Sequence, residues 1–237
     1  MKISLIICAY NEEKYIQACL DNALKNSFGK FQEIIVVDNN STDRTKEIAE
    51  KTPGVTVVTE LKKGPNFARQ KGFEVATGDI LAFIDADNHI GENWVKILIE
   101  EFTNNPKTVC LSGPYEYYDF AKWQKFLTLI YWYILAYPVY LLVGYMAIWG
   151  NFIIKKEILE KMNGIDTSIQ FYGDDTNISR RASKFGKAKF KLNFIIYSSA
   201  RRLQDQGMFK IAALYVLNFL SQIITKKSIT QTYNDIR

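Results

Sequence analysis

Phe83-Ile84-Asp85-Ala86-Asp87 places two carboxylates two residues apart at the end of an apolar run. Off a strand end, such a pair can approach one hard cation together. Mg²⁺ or Mn²⁺ prefers oxygen ligands and leaves its other positions to water and substrate phosphates. Alone, the pair is equally compatible with a solvated turn. It is accompanied by Ala9-Tyr10-Asn11-Glu12, by Asp38-Asn39-Asn40-Ser41-Thr42-Asp43, and by Gly64-Pro65-Asn66-Phe67-Ala68-Arg69. Later, Tyr172-Gly173-Asp174-Asp175 supplies a second acidic pair, which would also suit a helix N-terminus. Ser198-Ser199-Ala200-Arg201-Arg202 offers two adjacent guanidiniums, the geometry for bidentate phosphate contact.

These segments need a frame, and the first half of the chain supplies one. Lys2–Ala9 is nearly continuous in apolar residues, as expected for a strand buried on both faces of a parallel sheet. Residues 13–26 have helical spacing, and further strands are expected at Glu33–Asp38, Val55–Glu60, Asp79–Asp85 and Val109–Gly113. Helices are expected between them: one ending near Lys51 before Pro53-Gly54, then Pro65–Ala76 and Gly91–Phe102. This alternation predicts an α/β fold, an open, mostly parallel, Rossmann-like sheet with helices on both faces. Ligands of such sheets sit beyond the carboxyl ends of the strands, where three of the polar segments fall.

The pattern changes after Tyr115. Residues 126–154 carry no charge, yet Pro138, Gly144, Gly150 and many Tyr and Trp residues interrupt a simple membrane span. Met208–Thr225 has amphipathic spacing and is followed by Lys226-Lys227. Lys191–Tyr197 reads as one more strand. The net charge of +5 is uneven: residues 1–125 hold 15 Lys and Arg against 18 Asp and Glu, and residues 155–237 hold 15 against 7. A basic half of this kind could face phosphates or an anionic membrane. It carries no recognisable nucleic-acid motif, and no nucleic-acid partner is expected. Cys8, Cys19 and Cys110 lack metal or disulfide spacing, and Cys8 should be buried in its strand. No signal-peptide pattern opens the chain, so a cytoplasmic location, peripheral on the inner face of a membrane, is expected.

In chain order, the segments at 9–12, 38–43, 64–69, 83–87 and 172–175 resemble those of the family 2 glycosyltransferases, whose catalytic domain has the GT-A fold; the likeness covers roughly residues 2–200. It implies that Ala9, Tyr10 and Glu12 hold the nucleotide, that Asp38 bonds its base, and that Arg69 closes the base pocket. Asp85, Ala86 and Asp87 would meet the ribose and diphosphate, with Asp87 the direct metal ligand and Asp85 beside it. Asp175 matches the base, and Asp174 stands where the family more often has Glu. Arg201 and Arg202 would line the diphosphate or acceptor side.

The expected organisation is a GT-A domain over 1–200, with a nucleotide half (1–114) and an acceptor half (115–200) that includes 126–154 as an insertion. A C-terminal amphipathic helix and tail occupy 201–237. The expected activity is inverting transfer from a nucleotide-sugar, UDP-linked, to a hydroxyl of a glycan or lipid-linked acceptor. Two alternatives are a polyprenyl-phosphate sugar transferase and a non-catalytic scaffold that binds nucleotide-sugar and membrane. Gly150 and Asn151 are expected near the sugar ring, His89 is expected to turn away from any metal, and Arg180-Arg181 should be a solvated face.

Overall fold

The computed structural model describes residues 1–169 and 173–225. Its centre is a seven-stranded sheet built from β1 (Ile3–Ala9), β2 (Glu33–Asp38), β3 (Val55–Thr59), β4 (Ile80–Asp85), β6 (Thr108–Ser112), β8 (Phe152–Lys155) and β9 (Lys187–Phe190). The order is β3-β2-β1-β4-β8-β6-β9, and only β8 runs antiparallel to its neighbours. A smaller sheet pairs β5 (His89–Ile90), β10 (Ile196–Ser198) and β7 (Tyr115–Tyr117).

Strand β1 shows why the sequence reads as it does. Ile3, Leu5 and Ile7 pack to one side, with Cys19 and Leu20 of α1 (Ile16–Asn26) and Leu98 of α4 (Trp94–Asn104). Ile6 packs to the other side with Ala68 of α3 (Pro65–Val75). With both faces covered, the strand is apolar apart from Ser4, whose buried hydroxyl donates to Glu33 Oε1 (2.6 Å). At Gly72 of α3, a Cβ would come within 2.5 Å of Ile6 Cγ2, so the glycine lets the helix lie close on the sheet.

Two expectations about the second half are corrected. The uncharged stretch 126–154 is not one insertion. It begins within a helix running through α5 (Lys122–Ile130), a π-helical segment (Tyr131–Ala136) and α6 (Tyr137–Val143), and ends in β8 at the centre of the main sheet. Phe152, Ile153 and Ile154 are uncharged because β4 and β6 flank them; much of the helix is uncharged although it lies on the surface. Lys191–Tyr197 is not one strand either. β9 stops at Phe190, a turn closes with the Phe194 N–H on the Lys191 carbonyl (3.0 Å), and β10 then joins the small sheet. Asn193 sits in that turn, where its type is favoured.

The remaining helices are α2 (Thr45–Glu50), α7 (Lys156–Lys161), α8 (Asp174–Ala182), α9 (Arg201–Gln206) and α10 (Met208–Ile224). The amphipathic helix expected at Met208–Thr225 is thus present, whereas Lys226, Lys227 and Tyr172 lie outside the described residues.

Candidate active site

β1 and β4 end side by side, and their carboxyl ends open on a cleft of about 1090 Å³. Ala9 and Tyr10 enter it from β1, and Asp85 and Asp87 from β4. Lys63 lies over the Tyr10 ring and donates to its hydroxyl (3.0 Å), fixing the ring at the rim. Between the two carboxylates, Ala86 turns the opposite way into the core and does not face the cleft. Tyr115 in β7 donates to Asp85 Oδ2 (3.4 Å). Behind this floor Gly150 leaves room for both groups: a Cβ there would lie 2.0 Å from the Tyr115 hydroxyl and 2.6 Å from Asp85 Oδ2.

Arg69 ties this strand end to the second acidic pair. Its Nη1 donates to Asp174 Oδ2 (2.8 Å) and to Asn66 Oδ1 (2.9 Å), and its Nη2 lies 3.7 Å from Asp85 Oδ1. The guanidinium also stacks 4.5 Å from the Trp149 ring centre. Asp174 is therefore the anion that balances a buried cation. Asp175, next to it, has its Oδ1 on the N–H of Thr176 (2.7 Å) and lines the cleft. Gly173, in a left-handed conformation (φ 85°), turns the chain into α8 and puts both acids on its first turn. Burial pushes both carboxyls up from the ordinary aspartate range; at Asp174 the Arg69 charge works against that rise and the Asp175 charge adds to it.

Arg201 closes the opposite wall. Its Nη2 bonds Glu12 Oε1 and sits 3.1 Å from Asp87 Oδ2, while the guanidinium rests 4.6 Å from the Tyr15 ring centre. Asp119 holds this arm in place, accepting from Ser199 Oγ (2.9 Å) and from the Ala200 N–H (2.8 Å). Arg202 also lines the cleft.

The structure thus brings Ala9, Tyr10, Arg69, Asp85, Asp87, Asp174, Asp175, Arg201 and Arg202 to one cleft. Glu12 and Asp38 lie behind its wall. Glu12 braces Arg201, and its N–H donates to Thr45 Oγ1 (2.7 Å). The Asp38 carboxylate accepts from the Ser41 N–H (3.3 Å), and Asn39 lines the cleft in its stead. Asn151, expected near the sugar ring, is instead fully buried: it accepts from Trp94 Nε1 (2.8 Å) and donates to the Phe194 carbonyl (2.7 Å). Cys8, expected to be buried, is half-buried and lines the cleft. Arg181, expected in solvent, bonds the carbonyls of Met162 and Gly164. His89 stacks on Tyr118 (5.3 Å between centres), away from the cleft.

Tyr115, Trp149 and Asn66 were not singled out by the sequence as site residues. Trp149 and Tyr115 lay among many aromatics, and nothing local marked the two that reach Arg69 and Asp85. Asn66 falls inside the Gly64–Arg69 segment, three residues before the arginine it supports, and that helical spacing was the available signal.

For a cation, Asp85 and Asp87 bring two carboxylates to the same cleft. Among the described residues no group of three or more His, Cys, Asp or Glu makes a protein-only cage. An all-oxygen pair of this kind fits a hard divalent ion whose other positions are taken by water and phosphate.

The sequence profile of glycosyl transferase family 2 matches residues 4–162. The chain belongs to that family. A curated relative, the glucosyl-dolichyl phosphate glucuronosyltransferase of Haloferax volcanii, is 30% identical over 118 residues, 48% of this chain and 38% of the relative. The chain spans about two fifths or less of the length of the first curated relatives it matches. Among solved structures, the mannosyltransferase PcManGT of Pyrobaculum calidifontis, in complex with GDP-Man and Mn²⁺, superposes with a TM-score of 0.73 at 20% identity, over 96% of this chain and 65% of that one. The glucosyl-3-phosphoglycerate synthase of Mycobacterium tuberculosis, with Mn²⁺, UDP-glucose and phosphoglyceric acid, gives 0.64 at 21% identity, over 93% of this chain and 79% of that one. The fold of this family 2 glycosyltransferase is GT-A.

Proposed function

We propose that this chain is the catalytic domain of an inverting, metal-dependent enzyme that moves a sugar from a nucleotide-sugar, UDP-linked, to a hydroxyl of a glycan or lipid-linked acceptor. One observation carries the reading: the Asp85–Asp87 strand end and the Asp175 carboxylate share one cleft. Ala9 and Tyr10 cradle the nucleotide, and Arg201, beside Asp87, faces its diphosphate. Asp87, with Asp85 beside it, would hold Mg²⁺ or Mn²⁺, which neutralises charge on a departing diphosphate when bound. Asp175 takes the proton of the acceptor hydroxyl as that oxygen attacks from the face opposite the leaving group. A single displacement with one base inverts the anomeric centre. Arg69 holds Asp174 and Asp85 in register, so the base and the strand-end carboxylates keep a fixed separation. Support for a nucleotide-sugar donor comes from family membership and from the donors bound in the solved neighbours.

A peripheral place on the cytoplasmic face of a membrane belongs to the same reading. The Lys122–Val143 helix is long and apolar enough to cross a bilayer by composition. Yet only eight residues separate it from β8 in the central sheet. Fully extended, they reach less than about 30 Å, the thickness of the hydrocarbon core. Trp132 of this helix also donates to the Tyr115 carbonyl (3.1 Å) and packs on Phe190. Lying on a membrane fits these tethers, and crossing it does not.

The test is calorimetric titration of the full chain with UDP- and GDP-sugars, with and without Mn²⁺, repeated for Asp87→Ala. Metal-dependent binding of one donor, abolished in the variant, is the expected result. Equal affinity with and without metal, or in the variant, would overturn the metal assignment. Absence of binding by every donor would overturn the donor class.

A further inference from the structure

The cleft runs on beyond its carboxylates. Small-molecule sites run to about 300–1,000 Å³, and this one reaches about 1090 Å³ with a long apolar arm beyond the carboxylates. One wall of that arm is a stripe at four-residue spacing on the surface helix: Leu127, Tyr131, Leu135 and Val139. The facing wall is a second stripe, Met208, Ile211, Ala212 and Tyr215 of α10. Between them they offer a slot with aliphatic and aromatic sides, and no Lys, Arg, Asp or Glu belongs to either stripe. A sugar or a nucleotide would find few hydrogen-bond partners there.

Where the arm meets the polar cleft, the character changes within one side chain. Tyr131 is half-buried, and desolvation together with the nearby charge of Asp175 holds its hydroxyl above the ordinary range. Arg202 lines the cleft close enough to Tyr117 for its charge to act on that hydroxyl. Asp175, Arg202 and both stripes line the same cavity.

We propose that the slot between the surface helix and α10 holds the hydrocarbon chain of the acceptor, which is a long-chain lipid joined through phosphate to the group that is glycosylated. This rests on the glycosyltransferase reading and names its acceptor class. The phosphate meets Arg202 at the mouth of the slot, the chain lies between the stripes, and the reacting oxygen comes to Asp175. The outer side of the same helix is apolar as well, with Ile134 65% and Leu142 86% exposed. A helix apolar on both sides can rest on a lipid surface while its inner side receives a chain drawn from that surface.

The experiment uses the full chain and three probes: inorganic phosphate, isopentenyl phosphate (five carbons) and farnesyl phosphate (fifteen carbons). Affinities are measured by equilibrium dialysis below the micelle concentration. Affinity for farnesyl phosphate is expected to exceed that for isopentenyl phosphate by tenfold or more, with inorganic phosphate weaker still. Ala212→Phe on one wall and Val139→Trp on the other should each erase the chain-length dependence, while metal-dependent donor binding stays as in the parent. Two walls are tested so that one misfolded variant does not decide the matter. Leu142→Ser, on the outer side, should leave the chain-length dependence intact. Equal affinities for the two lipid phosphates would overturn the proposal. So would a dependence that survives both wall variants or disappears with Leu142→Ser, because the probes would then be adhering to the outer face. Loss of donor binding across the whole panel speaks against the enzyme reading instead, and lipid binding is scored independently of it.

Discussion

Strands β1 and β4 and the helix over Lys122–Val143 are all strongly apolar, yet they spend that character differently. The strands bury both faces between layers of helices and end in carboxylates and a tyrosine at one edge of the sheet. The helix buries little: Trp132 and Ala136 pack on Phe190, while Phe126, Ile134 and Leu142 face outward. In the first region hydrophobic burial fixes where charged groups stand. In the second, apolar surface is kept available for a ligand or a surface. On the reading proposed above, catalytic precision belongs to the carboxyl ends of these strands and acceptor capture to the helices, and that contrast can be attacked from both sides.

The largest effect should come from the sheet side of the cleft. Asp175→Asn keeps volume and hydrogen bonding but cannot take a proton, so kcat should fall by about 10²–10⁴-fold with donor affinity nearly unchanged. Donor affinity lost at unchanged kcat would make Asp175 a binding residue. Asp174→Asn should act mainly on stability. It removes the anion paired with buried Arg69, and breaking such a pair costs about 3–5 kcal/mol, readable in a urea titration. If Asp174→Asn slows turnover more than Asp175→Asn in folded protein, the two aspartates exchange roles.

Gly150→Ala comes next. The added methyl meets the Tyr115 hydroxyl and Asp85, and displacement of a positioned group by about 1 Å can cost about 10²-fold in rate. Wild-type kcat would show that the floor yields. A subtler signature is pH. Burial raises the Asp175 carboxyl, and a base must be deprotonated to act. Activity should therefore rise with pH through a midpoint above the ordinary aspartate value of about 3.9, then level off. A midpoint at or below that value would contradict burial as the controlling influence. Smallest of all is Leu142→Ser on the helix side, where stability should move by no more than about 0.5 kcal/mol. Flotation with anionic vesicles should nonetheless weaken; unchanged flotation would remove this face from the membrane contact.

The alternation of strands and helices over the first half of the chain was legible in the sequence. Continuous apolar runs closed by Asn, Asp and Tyr, spaced between helical segments, read as strands covered on both faces with polar ends, and that pattern is local. Three other features were decided only in three dimensions. Phe152–Lys155 lies in the middle of the sheet, although its sequence runs on from a surface helix without a charged residue between them. Arg69 finds Asp174 across 105 residues, and Arg201 finds Glu12 across 189. Asp38 and Glu12 turn behind the wall they were expected to line. Spacing along the chain reports which face of an element a side chain occupies, because helical and strand periods are short-range properties. Which opposite charge a buried guanidinium meets depends on how whole layers pack. A buried charge must be compensated by whichever partner that packing delivers, and no local pattern carries that information.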